Sequence, residues 1–358
     1  MRKRPFFSIV IPTYNRASDL EFALFCILRQ TYRDFEIVIS NNYSSDNTKE
    51  VVEKFHDRRI HYSRTKKILD NASNMKRALS LAKGEYIFFH SDDDFLIYAN
   101  SLEEIYRKIK KYKPGYIRIN YFSLSFDKKR VFSYKVRKPF QKDTFIPKDI
   151  SNKKAVDFIL DSDPYFITGI IVKNTVPKDV HMINSDPVPW FEVVFYNVKS
   201  HGGLFIHTQH VIANWSRRKI KKNARHHIFT LINGRLRAEG YFEAVKKKLS
   251  ESDYQYFLHN ELLLLYVTMF PMMKFNVGNK KMNVMSQRIC RIDEQMRKDL
   301  RYWIYFLPSF IMPRFFFHTM RDMYLYAYTI FGRVDKNEEF IKELKKLQEK
   351  YQTTVFLQ

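Results

Sequence analysis

The sequence predicts an α/β protein: a parallel sheet with helices on both faces, followed by a mainly helical, basic C-terminal region. Three observations predict it. Short apolar runs alternate with amphipathic stretches through the first 90 residues, the spacing of strand–helix units. Each run ends in a polar loop. From about residue 220 onward the pattern turns helical and basic.

The elements follow in order. "FFSIVI" is a strand, and "ASDLEFALFCILRQ" a helix with Ser18 and Glu21 spaced as a capping box and Leu20, Leu24, Ile27 and Leu28 along one face. "FEIVIS" is the next strand, "DNTKEVVEKFHD" a second amphipathic helix and "IHYS" a short strand. "SNMKRALSLAKG" is a helix closed by Gly84, and "YIFF" is a buried strand. Beyond it the pattern predicts a helix at about 100–112, strands near 116–124 and 165–172, and a helix near 188–200. "NELLLLYVTMF" is apolar nearly all round, and "NEEFIKELKKLQEKY" is amphipathic. The expected division is a catalytic domain over 1–218 and a basic, aromatic-rich helical region over 219–358.

The chain has 358 residues, 45% of them hydrophobic and 16% aromatic, which excludes a disordered protein. Its net charge of +24, denser in the C-terminal part, implies an anionic partner: nucleic acid, acidic lipid headgroups or a phosphorylated substrate. Cys26 and Cys290 are the two cysteines, without CxxC or Cys/His spacing, so a disulfide framework or zinc site is not expected and a reducing cytosol is. The basic start of "MRKRPFFSIVIP" is reminiscent of a signal peptide, but Pro12 stops the apolar run too early, and a first buried strand is expected.

In parallel α/β sheets ligands bind beyond the carboxyl ends of the strands. Here those ends carry "PTYN", "NNYSSD" and, after "YIFF", the three carboxylates Asp92, Asp93 and Asp94. Adjacent like charges repel unless a cation or solvent relieves them. Clustered carboxylates suit Mg²⁺ or Mn²⁺, which keep open positions for phosphate oxygens. Such an ion neutralises a diphosphate leaving group. A solvated acidic turn, or a cap for the helix that follows, is the alternative. No GxGxxG and no GxxxxGK[ST] occurs, which excludes a dinucleotide fingerprint and a P-loop.

The segments "FSIVIPTYNRASDLEFALFCILRQTYRDFEIVISNNYSSDNT" and "NASNMKRALSLAKGEYIFFHSDDDF" resemble the family 2 inverting glycosyltransferases with the GT-A fold, over roughly residues 6–95. The resemblance implies that Pro12, Thr13, Tyr14 and Asn15 line the nucleotide-base site together with the loop after the second strand. It implies Asp93 as principal metal ligand, Asp94 as helper, and Asp92 facing the ribose or sugar. Where the family usually has Asp-Asp, this chain has Asn41-Asn42. An amide oxygen can accept the uracil N3–H without charge, and thymine presents the same edge, so the resemblance implies a UDP- or dTDP-sugar as donor.

Inversion needs a base opposite the leaving diphosphate. In the family this acid starts a helix about eleven residues before a Gly that precedes a strand, which fits "SDPVPWFEVVFYNVKSHGGLFIH". Glu192 and Asp186 both qualify; an acid stabilised by the helix dipole is the bland alternative. Trp190 is either a sugar-stacking ring or a core residue. "IANWSRRKIKKN" would bring Trp215, Arg217 and Arg218 back toward the departing diphosphate, or is a solvated basic run. His90, His181, His207 and His210 show no ligand spacing.

"RYWIYFLPSFIMPRFFFHTMRDMYLYAYTIFG" is too short in its uncharged run to span a bilayer and is broken by Pro308 and Pro313. Rings mixed with Arg suit a membrane–water interface; a packed helical subdomain is the alternative. The implied partners are a saccharide or lipid-linked glycan acceptor and an anionic membrane surface, and the implied location is cytoplasmic, peripheral at the inner face of the plasma membrane. Two rival functions are a metal-dependent nucleotidyltransferase and a basic nucleic-acid-binding protein. The second leaves the strand-end carboxylates unexplained and lacks a helix-turn-helix, zinc-finger or RRM motif, so no nucleic-acid partner is expected.

Overall fold

The computed structural model describes residues 4–124, 131–133, 140–175, 188–213, 231, 233–313, 315–317 and 319. The chain divides into two compact units: the first runs to Arg217 with Ser185–Val188 excepted, and the second covers Arg218–Arg333. Asp186, Trp215, Arg217 and Arg218, His181, and the stretch "NEEFIKELKKLQEKY" lie outside the described residues.

The first unit is built on one mixed sheet. Its strands are β1 (Phe7–Thr13), β2 (Phe35–Asn41), β3 (Ile60–Arg64), β4 (Tyr86–Phe89), β5 (Phe95–Leu96), β6 (Tyr116–Leu124), β7 (Val131–Ser133), β8 (Thr144–Ile146), β9 (Ile170–Lys173) and β10 (Gly203–Ala213). The order along the sheet is β3-β2-β1-β4-β9-β6-β10-β5, with β7 on β6 and β8 on β10. β1 lies between β2 and β4, parallel to both, so Ile9 faces Ile37 on one side and Phe88 on the other. β2 and β4 are buried throughout and β1 nearly so, the reason these segments read as continuous apolar runs rather than alternating ones.

The wholly parallel sheet expected from the alternation is corrected at β9, which is antiparallel to both β4 and β6. β6 therefore runs the same way as β4, and β10 is parallel to β6. The principal strands thus share one carboxyl edge across this insertion. β9 also begins later than the predicted 165, because residues 163–169 form a loop.

The helices of this unit are α1 (Ala17–Leu28), α2 (Thr48–Glu53), α3 (Asn71–Leu81), α4 (Ser101–Tyr112), α5 (Asn152–Asp161) and α6 (Phe191–His201). The capping box expected at Ser18 and Glu21 does not form: α1 begins at Ala17 without a side-chain cap from Arg16. Its first amide instead donates to Asp46 Oδ2 at 2.9 Å, so a residue from the next loop supplies the acceptor. Gly84 is required by close approach, since a Cβ there would lie 2.4 Å from the Ser8 backbone nitrogen.

The second unit holds α7 (Glu239–Lys246), α8 (Glu251–Leu265), α9 (Phe270–Ile292) and α10 (Leu300–Ile311). "NELLLLYVTMF" is not one helix: α8 ends and a 3-10 turn at Val267–Met269 precedes α9. Pro308 was expected to break the helix but lies inside α10. The hydrogen bond it forgoes belongs to the carbonyl of exposed Ile304, which water can satisfy. Tyr302, Phe306 and Ser309, spaced at one helical face, turn inward. Tyr302 stacks on Phe306 at 5.3 Å and shares a 2.5 Å hydrogen bond with Ser286 of α9. No helix among the described residues is long and apolar enough to cross a membrane.

Candidate active site

The carboxyl edge of β1, β2 and β4 gathers the predicted loops. The β1 and β2 loops are tied together first. Asn15, in the left-handed region with φ 51°, accepts the Ser45 amide at 2.8 Å and donates its own amide to Ser44 Oγ at 2.9 Å. Asp46, a residue sequence reasoning passed over, bonds Thr48 while holding the start of α1, so one carboxylate anchors two helices to the loop. Tyr14 and Tyr43 are the exposed rings here, and Arg64 lies 4.3 Å over the Tyr43 ring. Thr13 is buried and Pro12 pairs in register with Ser40.

Asn41 and Asn42 are both committed to the protein. Asn41 donates to Tyr62 Oη at 2.7 Å and accepts the Ser44 amide at 2.8 Å. Asn42 donates to the Leu69 carbonyl at 2.9 Å and accepts the Leu69 amide at 2.8 Å. A carboxylate cannot donate, so the two-way clamp on Leu69 requires the amide. That is a physical reason for Asn at the second position of this pair.

The acidic loop follows β4. Arg16, at the start of α1, sends a single nitrogen, Nη1, to Asp92 Oδ1 at 2.8 Å and to Asp93 Oδ2 at 2.7 Å. Ser91 Oγ donates to Asp93 Oδ1 at 2.5 Å. Asp94 turns elsewhere: Thr168 Oγ1 donates to its Oδ2 at 2.5 Å and accepts the Ser91 amide at 2.9 Å. Asp92 and Asp93 thus share one cation position while Asp94 pins the loop to the 163–169 segment. Burial, then repulsion from Asp93, outweighs the attraction of Arg16 and pushes the Asp92 carboxyl up to about 6. Burial also works against the charge of Arg16, but its two carboxylates overcome this and hold the guanidinium protonated. His90 sits beneath, fully buried, its ring pushed down to about 4 by burial.

The 163–169 segment is itself held by a charge inside the sheet. Arg118 of β6 is buried, donates to the carbonyls of Ser162 (3.1 Å) and Thr168 (2.7 Å), and lies 3.8 Å from Asp163. Tyr121 donates to the same Asp163 at 2.7 Å. The Pro164 carbonyl receives the indole N–H of Trp190 at 2.9 Å. Trp190 is buried, 6.4 Å from Phe89 at the end of β4, which settles it as a core residue rather than an exposed sugar platform. It immediately precedes α6, whose first turn carries half-buried Glu192. The same segment therefore braces both the acidic loop and the helix start bearing the expected base.

Two carboxylates already bracketing one cation at hydrogen-bond distance suit a hard divalent ion that completes its coordination with water and substrate phosphates. A dedicated protein cage is another matter: among the described residues no group of three or more metal-ligating side chains forms one. The donor set therefore fits an ion shared with a ligand.

A mixed sheet with these loops at its carboxyl edge is the GT-A fold expected from the sequence. Residues 8–164, somewhat under half of the chain, match the model of glycosyl transferase family 2. It is similar to the glycosyltransferase GlyG of Streptococcus pneumoniae, 28% identical over 49% of this chain and 60% of that one. It is also similar to the GalNAc(5)-diNAcBac-PP-undecaprenol beta-1,3-glucosyltransferase of Campylobacter jejuni, 38% identical over 26% of this chain and 31% of that one. The chain thus spans less than two thirds of these curated relatives. Among solved structures, S. aureus TarS 1-349 in complex with UDP-GlcNAc superposes with a TM-score of 0.58 at 14% identity, covering 88% of this chain and 92% of that one. That likeness is one of fold.

Proposed function

We propose that the chain transfers a sugar, with inversion, from a UDP- or dTDP-sugar to a hydroxyl of a glycan or lipid-linked saccharide. The observation that carries this reading is the Asp92–Asp93 pair, which holds a single cation at the carboxyl edge where the class binds its donor. Asp93, with Asp92 in place of the Asp94 that the resemblance implied, would hold Mn²⁺ or Mg²⁺. Such an ion supplies charge neutralisation for the diphosphate as it leaves. Asp94, bonded to Thr168, keeps the loop in place.

Glu192, or Asp186, takes the proton from the acceptor hydroxyl as its oxygen bonds the anomeric carbon and the bond to the diphosphate breaks. Tyr14 and the loop from Asn41 face the base, and Arg217, outside the described residues, is the cation expected to neutralise the diphosphate. The printed names of relatives support the acceptor class: one acts on an undecaprenol-linked saccharide, and another is a poly(ribitol-phosphate) beta-N-acetylglucosaminyltransferase of Staphylococcus aureus.

We assign the protein to the cytoplasmic face of an anionic membrane, held there peripherally. The exposed face of α10 and the net charge of +24 support this. The deciding experiment incubates the protein with a panel of sugar nucleotides, Mn²⁺ and saccharide acceptors. Release of a free nucleoside diphosphate with a β- or α-inverted product is expected. Release of sugar 1-phosphate, with the nucleotidyl group passed to the acceptor, would make it a nucleotidyltransferase, and retention of configuration would remove the direct-displacement mechanism.

A further inference from the structure

Arg16 belongs to none of the roles assigned above, yet it makes the most direct contact with the acidic pair. We propose that Arg16 is the resident counter-ion of Asp92 and Asp93, holding them in the donor-free protein and surrendering its place when a divalent cation arrives with the nucleotide. This rests on the reading of the pair as the metal site.

The geometry argues for replacement rather than coexistence. One nitrogen touches an oxygen of each carboxylate at 2.8 and 2.7 Å. An ion bound to the same oxygens at about 2.1 Å would press against that nitrogen, cation against cation. The three groups are also unequal. The carboxylates are fixed, each side chain 6% exposed, with Asp93 further held by Ser91. The Arg16 side chain is 30% exposed, and its hydrogen bonds among the described residues go to these two carboxylates alone. Its backbone lies at the cap of α1, outside the regular helix. The side chain free to leave is therefore the guanidinium.

A protein built this way solves a particular difficulty. Two adjacent buried carboxylates without a counter-ion would repel one another and take up a proton. Arg16 keeps them charged and assembled. The same contact raises the threshold for a bare ion, because metal entry must break two charge-assisted hydrogen bonds. An ion accompanied by a diphosphate compensates by offering phosphate oxygens both to itself and to the displaced guanidinium. Arg16 thereby couples metal binding to donor binding.

The test is Mn²⁺ binding without donor, followed by electron paramagnetic resonance or calorimetry near pH 8, where carboxylates are ionised. Arg16→Met and the near-isosteric neutral Arg16→Gln should bind bare Mn²⁺ about tenfold to a hundredfold more tightly than the native protein, the scale of charge-assisted bonds no longer opposing it. Arg16→Lys, which keeps the charge, should stay near the native value. Adding UDP should tighten Mn²⁺ binding strongly in the native protein and much less in the neutral variants. Equal or weaker bare-metal affinity in both neutral variants would overturn the counter-ion role while leaving the metal site intact. Absence of Mn²⁺ binding in every protein, with UDP present, would overturn the metal reading and this inference with it.

Discussion

The acidic loop of the first unit and helix α10 of the second invert the usual rule of solvation in opposite senses. Asp92, Asp93 and Asp94 are 4%, 7% and 3% exposed, whereas Leu300, Ile304 and Ile311 on α10 are 72%, 57% and 74% exposed. Carboxylates are almost never this buried unless paired, and a contiguous exposed apolar face on one helix is equally unusual. The difference lies in what compensates each. Around the carboxylates the protein supplies Arg16, Ser91 and Thr168, so the cost of burial is offset inside the unit. Around α10 one stripe, Tyr302–Phe306–Ser309, is seated on α9. The opposite stripe, Trp303–Ile304–Leu307–Ile311, recurs at helical spacing and stays open. The compensated anomaly is where the proposed chemistry can be tested, and the uncompensated one is where the proposed membrane docking can be.

The sharpest way to break the first half of that comparison is Asp93→Asn. The variant keeps the shape of the loop but loses a charge on the proposed metal. Turnover should fall below about a thousandth of native, with Mn²⁺-dependent nucleotide binding lost and the circular dichroism spectrum unchanged. Native-like turnover, or native activity in excess EDTA, would remove the metal from the mechanism. Glu192→Gln comes next. It should leave donor affinity intact and lower turnover by roughly 10²–10⁴, the scale of a positioned base. The same drop in Asp186→Asn, and none in Glu192→Gln, would move the base six residues upstream.

Burial inside the first unit has a further consequence that acid should expose. His210 is fully buried, 3.3 Å from Ser101 Oγ, and burial above all, then Lys108, lowers its ring to about 4. The unfolded chain protonates this group near 6.5, so between the two values the unfolded state binds more protons. Its contribution to stability is complete above 6.5 and is lost as pH falls toward 4, by an amount of order 3 kcal/mol. Thermal melts of the native protein should drop across that window, and His210→Leu should lessen the drop, leaving the share of His90, which burial lowers to the same value. An identical pH dependence in the variant would show that another group carries the acid sensitivity.

How much of this was legible in the sequence follows from what each residue depends on. β1, β2, β4, α4 and β6 depend on local apolar pattern and could be read directly. The acidic loop was read from its place at a strand end. Arg16 was not, although it follows "PTYN" directly, because its partners lie 76 and 77 residues away. The same reason hid Asp46: a cap supplied by another loop overrides the local Ser18–Glu21 signal. The late start of β9 was invisible because Arg118 sits in β6 looking like any strand residue, whereas its buried guanidinium holds the 163–169 loop open. The reversal of β9 leaves no trace in an apolar pattern, since "IIVK" reads the same in either direction. α5 was overlooked although Ser151 caps it, accepting the Lys154 amide at 3.3 Å.

The smallest effect separates the two faces of α10, and the separation is the point. Ile304→Ser and Ile311→Ser remove exposed methyl groups and open no cavity, so each should change stability by no more than about 0.5 kcal/mol. Phe306→Ala, on the seated stripe beside Phe270 at 5.5 Å, should cost about 3 kcal/mol. Vesicle binding should rank the same substitutions in reverse. The flanking Arg297 and Lys298 are exposed, and basic residues near an anionic leaflet contribute about 1 kcal/mol each, weakening with salt. The native protein should therefore sediment with anionic liposomes at low salt and be partly released at high salt. The Ile304→Ser, Ile311→Ser double variant should remain folded and bind several-fold less. Equal sedimentation with neutral vesicles would remove the electrostatic share of the docking. No loss of binding in the double variant would show that the open stripe of α10 is not the face that meets the bilayer.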